Sequence, residues 1–174
     1  MTRFFLIFTL LVVVPFAAEL TPIVQSVFVM PFTSVIARAS ALLMQAWDAE
    51  VLAQGKIIWD ASSGFAVSIE AGCNGVEAGI VLLAAMLAFP ATWQEKLAGI
   101  TVGLVTVQGL NLIRIITLFY IGQWNQTLFE WAHLYIWQAL IMLDVLVVFL
   151  LWLRWLSKRE ASTTAAIPAS NLDG

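Results

Sequence analysis

The chain has almost no cysteine and little charge. Its 174 residues include one cysteine, one histidine and five prolines, and only 11% are Asp, Glu, Lys or Arg. A lone thiol cannot close an intramolecular disulfide, so Cys73 is free and its position asks for a reason. Charge this sparse, against about 25% in a typical soluble domain, excludes a large water-exposed body. There is no basic patch, so nucleic acid is not an expected partner, and no internal repeat of the kind transporters carry. What is present is apolar: 61% hydrophobic residues, eight tryptophans and a mean hydropathy of +0.94. This is the composition of an integral membrane protein with aromatic belts at its interfaces. The net charge of −3 says little, because the charges divide between two sides of a membrane.

The first apolar run, Phe4–Ala18, is short against the roughly 20 residues needed to cross a bilayer. Pro15-Phe16-Ala17-Ala18 is a poor signal-peptide cleavage site, so an uncleaved span reaching about Leu20 is expected. Residues 21–50 are interrupted by Pro22, Pro31, Arg38, Asp48 and Glu50. Within them Val35, Ile36, Ala39, Leu42, Leu43 and Ala46 keep helical spacing, which favours an amphipathic helix along the interface over a second full span. Between 51 and 70, Phe65, Val67 and Ile69 alternate with Ala66, Ser68 and Glu70 after a turn-like Asp60-Ala61-Ser62-Ser63-Gly64. Lys56-Ile57-Ile58-Trp59 lies before it, and the segment reads as a small β-hairpin.

A second span is expected at about Gly75–Phe89, ending at Pro90, then a polar connection Trp93-Gln94-Glu95-Lys96. A third follows at about Leu97–Ile121, a fourth at about Leu134–Leu156, and a disordered cytoplasmic tail over Ser157–Gly174. The fold expected is thus one mainly α-helical membrane domain with about four spans: residues 1–20, an outer segment 21–73, a three-span core 74–156 and the tail. By the positive-inside rule Arg3, Lys96, Arg154, Lys158 and Arg159 lie on or near the cytoplasmic face. Residues 21–73 and the loop 122–133 are then outside.

That topology brings the rare polar residues to one rim. Cys73 and His133 fall at the outer mouths of the second and fourth spans, and Arg114 about 10 Å below the surface of the third. A cation inside a span is unfavourable by at least ~2.5 kcal/mol and faces the bundle interior or a polar cavity. Asn111 and Gln108 extend the polar stripe of Arg114, and Glu77 lies one turn below Cys73. An Arg114–Glu77 ion pair is the plain structural reading of these charges. Asp144, three turns after His133, reads as a buried packing residue hydrogen-bonded to Gln108. A thiol near a histidine base and an arginine suits acyl transfer through a thioester. By residue types alone, inert packing for Cys73 and a belt role for His133 stay open. Asn74 either donates its amide to an oxyanion or caps the second span, and Gly75 permits close backbone approach.

The run Ala71-Gly72-Cys73-Asn74-Gly75-Val76-Glu77 resembles the cysteine motif of the exosortase/archaeosortase family. Asn111-Leu112-Ile113-Arg114-Ile115 resembles its Asn-x-x-Arg motif, and His133 stands where the family has its histidine. The resemblance covers residues 65–156, and the Cys-Asn-Gly-Val-Glu wording is most like the exosortase H subfamily. It implies a transpeptidase-like enzyme of the bacterial inner membrane, active site outward. Such enzymes act on secreted proteins with a C-terminal signal of a short motif, a membrane helix and a basic cluster; PEP-CTERM is one type and Ile-Pro-Thr-Leu a variant. The resemblance further implies Cys73 as nucleophile, His133 as general base and acid, and Arg114 as stabiliser of thiolate or oxyanion, with Asn74, Gly75, Glu77 and Asn111 in support. No cofactor or metal is expected; the partners are the secreted substrate and the lipid bilayer. An extended substrate motif would pair with the hairpin edge. The competing readings are a membrane cysteine protease that uses water, and a non-catalytic scaffold subunit.

Overall fold

The computed structural model describes residues 2–165 of the chain. Helix α1 is Thr2–Glu19, and α2 is Pro22–Met44, with a π-helical turn at Gln25–Val29. Strands β1 (Val51–Gln54), β2 (Ile57–Asp60) and β3 (Ala66–Ser68) form an antiparallel sheet in the order β1-β2-β3. Helix α3 is Val76–Ala88 and α4 is Trp93–Trp124. Helix α5 covers residues 126–165 as Gln126–Trp131, a π turn Ala132–Ile136 and Trp137–Ala165.

Local chemistry sets these boundaries. The Thr21 hydroxyl accepts from Val24 N and Pro22 occupies the first turn of α2, where its missing N–H costs nothing. Thr92 and Glu95 form a reciprocal capping box that starts α4. The Asn125 side chain ends the link to α5 by accepting from Leu128 N at 3.0 Å. Gly55, at φ +58, makes the tight turn between β1 and β2.

Two apolar cores divide the molecule. One joins Ile36, Ala37, Ala41 and Met44 of α2 to Val51 and Ile58 of the sheet and to Ile115 and Phe119 of α4. The other joins Ala78, Leu82 and Met86 of α3 to Val107 of α4 and Val145, Trp152 and Leu156 of α5. Asn111 and Arg114 lie on α4 between its contributions to the two cores. At the far end of the second core the Trp152 indole donates to Glu95 O at 3.1 Å, and Lys96 Nζ donates to Leu87 O. Arg159 lies within electrostatic range of Glu95 there. The sheet therefore marks one end of the bundle, and Lys96 and Arg159 the other.

Among the described residues four helices are long and apolar enough to cross a membrane, the number expected; by length they include α2, while α3 is shorter. α3, read as the second span, has 13 residues, about 20 Å of helix, which falls short of a ~30 Å hydrocarbon core. α2 is the longer one, a continuous helix of 23 residues. Its stripe of large apolar residues points away from the protein, with Val35, Leu42 and Leu43 exposed, while Thr33, Ile36, Ala37, Ser40, Ala41 and Met44 are buried. Small and polar residues inside with large apolar ones outside is the arrangement of a lipid-contacting helix.

The hairpin is a three-stranded meander: β2 and β3 are the strands read from the alternation, and β1 precedes them. Trp93-Gln94-Glu95-Lys96 is the first turn of α4, because the capping box holds it helical. The expected tail is helical through Ala165, and the rest of it lies outside the described residues. α4, at 32 residues, spans about 48 Å, longer than a ~30 Å hydrocarbon core. Counted from Trp93, Arg114 is roughly 32 Å along the axis, in the half of α4 nearer the sheet.

Candidate active site

Cys73 sits in the turn between β3 and α3. That turn exists because Gly72 and Gly75, on either side of it, hold φ +81 and +79, values other residues rarely adopt. Asn74, 1% exposed, fixes the start of α3 by accepting from Val76 N at 3.0 Å and donating to the Thr33 hydroxyl at 3.0 Å. Its amide thus bridges α2 and the residue after Gly75, the N-cap of α3. Gly75 also permits the close approach expected of it. A Cβ there would come within 2.8 Å of Gln108 Nε2, which donates to Gly75 O at 3.2 Å. Gly75→Ala is expected to lose roughly 1–2 kcal/mol from the left-handed backbone alone. Thermal unfolding in detergent reads this; an unchanged midpoint would mean that the turn re-forms.

The three rare residues meet. Arg114, 1% exposed, directs its guanidinium at the turn: Nη2 donates to Cys73 Sγ at 3.3 Å and Nη1 to Gly72 O at 3.2 Å. His133 Nε2 lies 3.7 Å from the same sulfur. The π turn sets His133 on α5, a local widening that recurs at functional sites. Phe129, one turn earlier, stacks on the imidazole with ring centroids 5.7 Å apart and planes within 20°. That contact was not anticipated, although the spacing of four residues carried the signal.

The expected ion pair is absent. Glu70, the other carboxylate near the turn, pairs with Lys56 on the sheet. Glu77 Oε1 instead accepts from Gly72 N, holding the far side of the turn. The expected Asp144–Gln108 hydrogen bond does not form either; Gln108 Nε2 donates to Gly75 O. Several polar atoms around the sulfur are buried without a partner among the described residues: Glu77 Oε2, Gln108 Oε1, Arg114 Nε, His133 Nδ1 and both amide atoms of Asn111. Such a concentration is costly in a finished core and ordinary in a site that bonds a substrate.

Residues 1–153 match the family model described as transmembrane exosortase (Exosortase_EpsH). The chain belongs to the transmembrane exosortase family. No curated protein and no solved structure matches it. Membership makes it a multi-pass membrane protein of a protein-sorting transpeptidase class whose substrates are secreted proteins with C-terminal signals. The family match extends over α1 and α2, well beyond the part in which the motifs were legible.

In this exosortase the electrostatics of the thiol are opposed. Burial pushes the Cys73 thiol up, Arg114 pulls it down, and Glu77 and Glu70 push it up again, for a net rise. A thiol held up in this way gains from a neighbouring base that takes its proton. Alkylation gives a direct test. Its rate in the empty protein should climb past pH 9 without a plateau at neutrality. Arg114→Gln should shift that profile to higher pH, because a cation beside the thiolate is lost. Glu77→Gln should shift it lower, because an anion is lost. Saturation near pH 7 would contradict the assignment.

Proposed function

We propose that the protein is a membrane cysteine transpeptidase that cleaves the C-terminal sorting signal of secreted proteins through a thioester on Cys73. The observation that carries this reading is the contact of one sulfur with both Arg114 and His133. His133 Nε2 takes the thiol proton as Sγ bonds to the scissile carbonyl carbon. The carbonyl oxygen becomes an oxyanion, to which the fixed guanidinium of Arg114 can donate from a shielded site. Collapse breaks the C–N bond, His133 returns the proton to the leaving amine, and the substrate stays as a thioester. An acceptor amine then attacks that carbonyl and Cys73 leaves as the thiol. Asn111 and Glu77, with unpartnered polar atoms beside the turn, hold the substrate's peptide groups. The active site faces outward from the bacterial inner membrane, with Lys96 and Arg159 on the cytoplasmic side.

The short recognition motif adds to the open edge of β3. Asp60 N donates to Phe65 O and Ile69 N to Lys56 O, so by alternation Ala66 and Ser68 turn their main-chain groups to that edge. The Cys-Asn-Gly-Val-Glu wording favours the Ile-Pro-Thr-Leu type of signal over other PEP-CTERM types.

The test is co-expression with a secreted reporter carrying such a signal, followed by the intact mass of the product. A new C-terminus bearing an added group supports transfer. An unmodified C-terminus assigns the protein as a protease with water as acceptor. A reporter left whole assigns it as a scaffold.

A further inference from the structure

An apolar cleft of about 440 Å³ runs down from the Cys73 turn into the bundle. α3 forms its floor with Ala78 and Val81, α1 one wall with Phe5 and Phe8, and α5 the other with Met142 and Val145. Gly72, Gly75 and Glu77 line its upper end, so the cleft opens onto the two glycines that flank the nucleophile. Helix α1 is packed on one side only, with 6% of its span buried, and α3 is too short to fill the bilayer by itself. The bundle thus has a gap at membrane depth, whose upper end is formed by glycines of the turn that carries the thiol. A second cleft, of about 360 Å³ between α4 and α5, includes Val102 and Trp152 and touches none of the site residues.

We propose that the first cleft seats the membrane-spanning helix of the substrate's sorting signal. The proposal rests on the sorting reading above and adds a location to it. An occupant at this depth must be apolar, because the lining below Glu77 is aromatic and aliphatic apart from Gln138. A chain leaving the cleft at its upper end passes Gly72 and Gly75, the glycines on either side of Cys73 in the turn. A polypeptide anchored in the cleft therefore presents its first extramembrane residues to the nucleophile, which fixes the cleavage position by membrane depth as well as by motif. A free lipid tail fits the same lining but presents no peptide to the sulfur, so the polypeptide is the occupant that links cleft and thiol.

Photo-crosslinking tests this in the full-length chain. A benzoylphenylalanine probe is placed at Phe5 or Met142, one on each wall, in a Cys73→Ala background that retains the substrate. Control probes go at Val102 in the second cleft and at Val35 on the exposed face of α2. With the signal-bearing reporter co-expressed, adducts at Phe5 and Met142 should exceed those at Val102 and Val35 by at least tenfold. Equal or stronger adducts at Val102 or Val35, or capture of lipid alone in the cleft, would overturn the proposal.

Processing by the otherwise unaltered protein is measured in parallel. Processing without cleft adducts removes the cleft and leaves the sorting reading intact. Cleft adducts without processing keep the seat and remove the reaction. As a second variant, Val81→Trp fills the cleft floor. It should slow reporter processing at least tenfold while the alkylation rate of Cys73 stays unchanged, a separation that general misfolding would not give.

Discussion

Cys73→Ala is expected to abolish processing of a signal-bearing reporter, by on the order of 10⁴-fold or more, the scale seen when a nucleophile is removed from an acyl-transfer site. The loss should come without unfolding. The Cys73 side chain is small and half-buried at the edge of the sheet-side core, so its sulfur leaves a cavity worth about 1 kcal/mol. Cys73→Ser should be nearly as inactive. The hydroxyl needs a stronger base than His133 offers, since no described carboxylate or carbonyl bonds Nδ1 to orient the ring. The readouts are the mass of the reporter and the thermal midpoint of the purified variant. A folded alanine variant that still cleaves would remove the cysteine mechanism and leave Cys73 as packing.

The second large effect is expected at Arg114. Its guanidinium bonds Gly72 O and Cys73 Sγ at once, through two different nitrogens. Arg114→Ala should reduce turnover by roughly 10²- to 10³-fold, as expected for loss of a fixed donor to a developing oxyanion. Arg114→Lys separates charge from geometry. A lysine keeps a cation near the sulfur, so the alkylation profile of Cys73 should move little. A single ammonium cannot reproduce the planar fork across Gly72 O and Sγ, so turnover should still fall about 10²-fold. Full activity in the lysine variant would reduce Arg114 to a simple counter-charge. Measuring both quantities on the same preparation keeps a folding defect from imitating either result.

The geometry also gives the unpartnered polar atoms a common meaning. Asn111, 1% exposed, has neither amide atom bonded, one turn below Arg114 on the same helix face. Glu77 spends one oxygen on the Gly72 turn and leaves the other free toward the cleft. Glu19, at the end of α1, is buried close enough to Glu77 for the two carboxylates to repel each other. Asn111 and Glu77 reach the Cys73 turn from two helices, and each offers an unpartnered group that a peptide backbone can bond.

By itself the sequence determined that the chain is a helical membrane protein. A hydrophobic run needs no partner to declare itself, because the bilayer reads it locally. It also placed Cys73, Arg114 and His133 on one rim, since alternating crossings bring every second helix end to the same side. Parts of the fold were harder to read. β1 went unseen because Val51-Leu52-Ala53-Gln54 has weak alternation. The lengths of α2 and α3 were harder to read, because an apolar stripe at helical spacing looks the same whether it faces lipid or a core. Only the tertiary structure decided that Arg114 reaches the thiol and not Glu77. Both pairings were consistent with depth, and the choice fell to two left-handed glycines. They fold the Cys73 turn so that the Gly72 carbonyl and the sulfur lie together on the side facing α4, while the Gly72 N–H takes up the carboxylate.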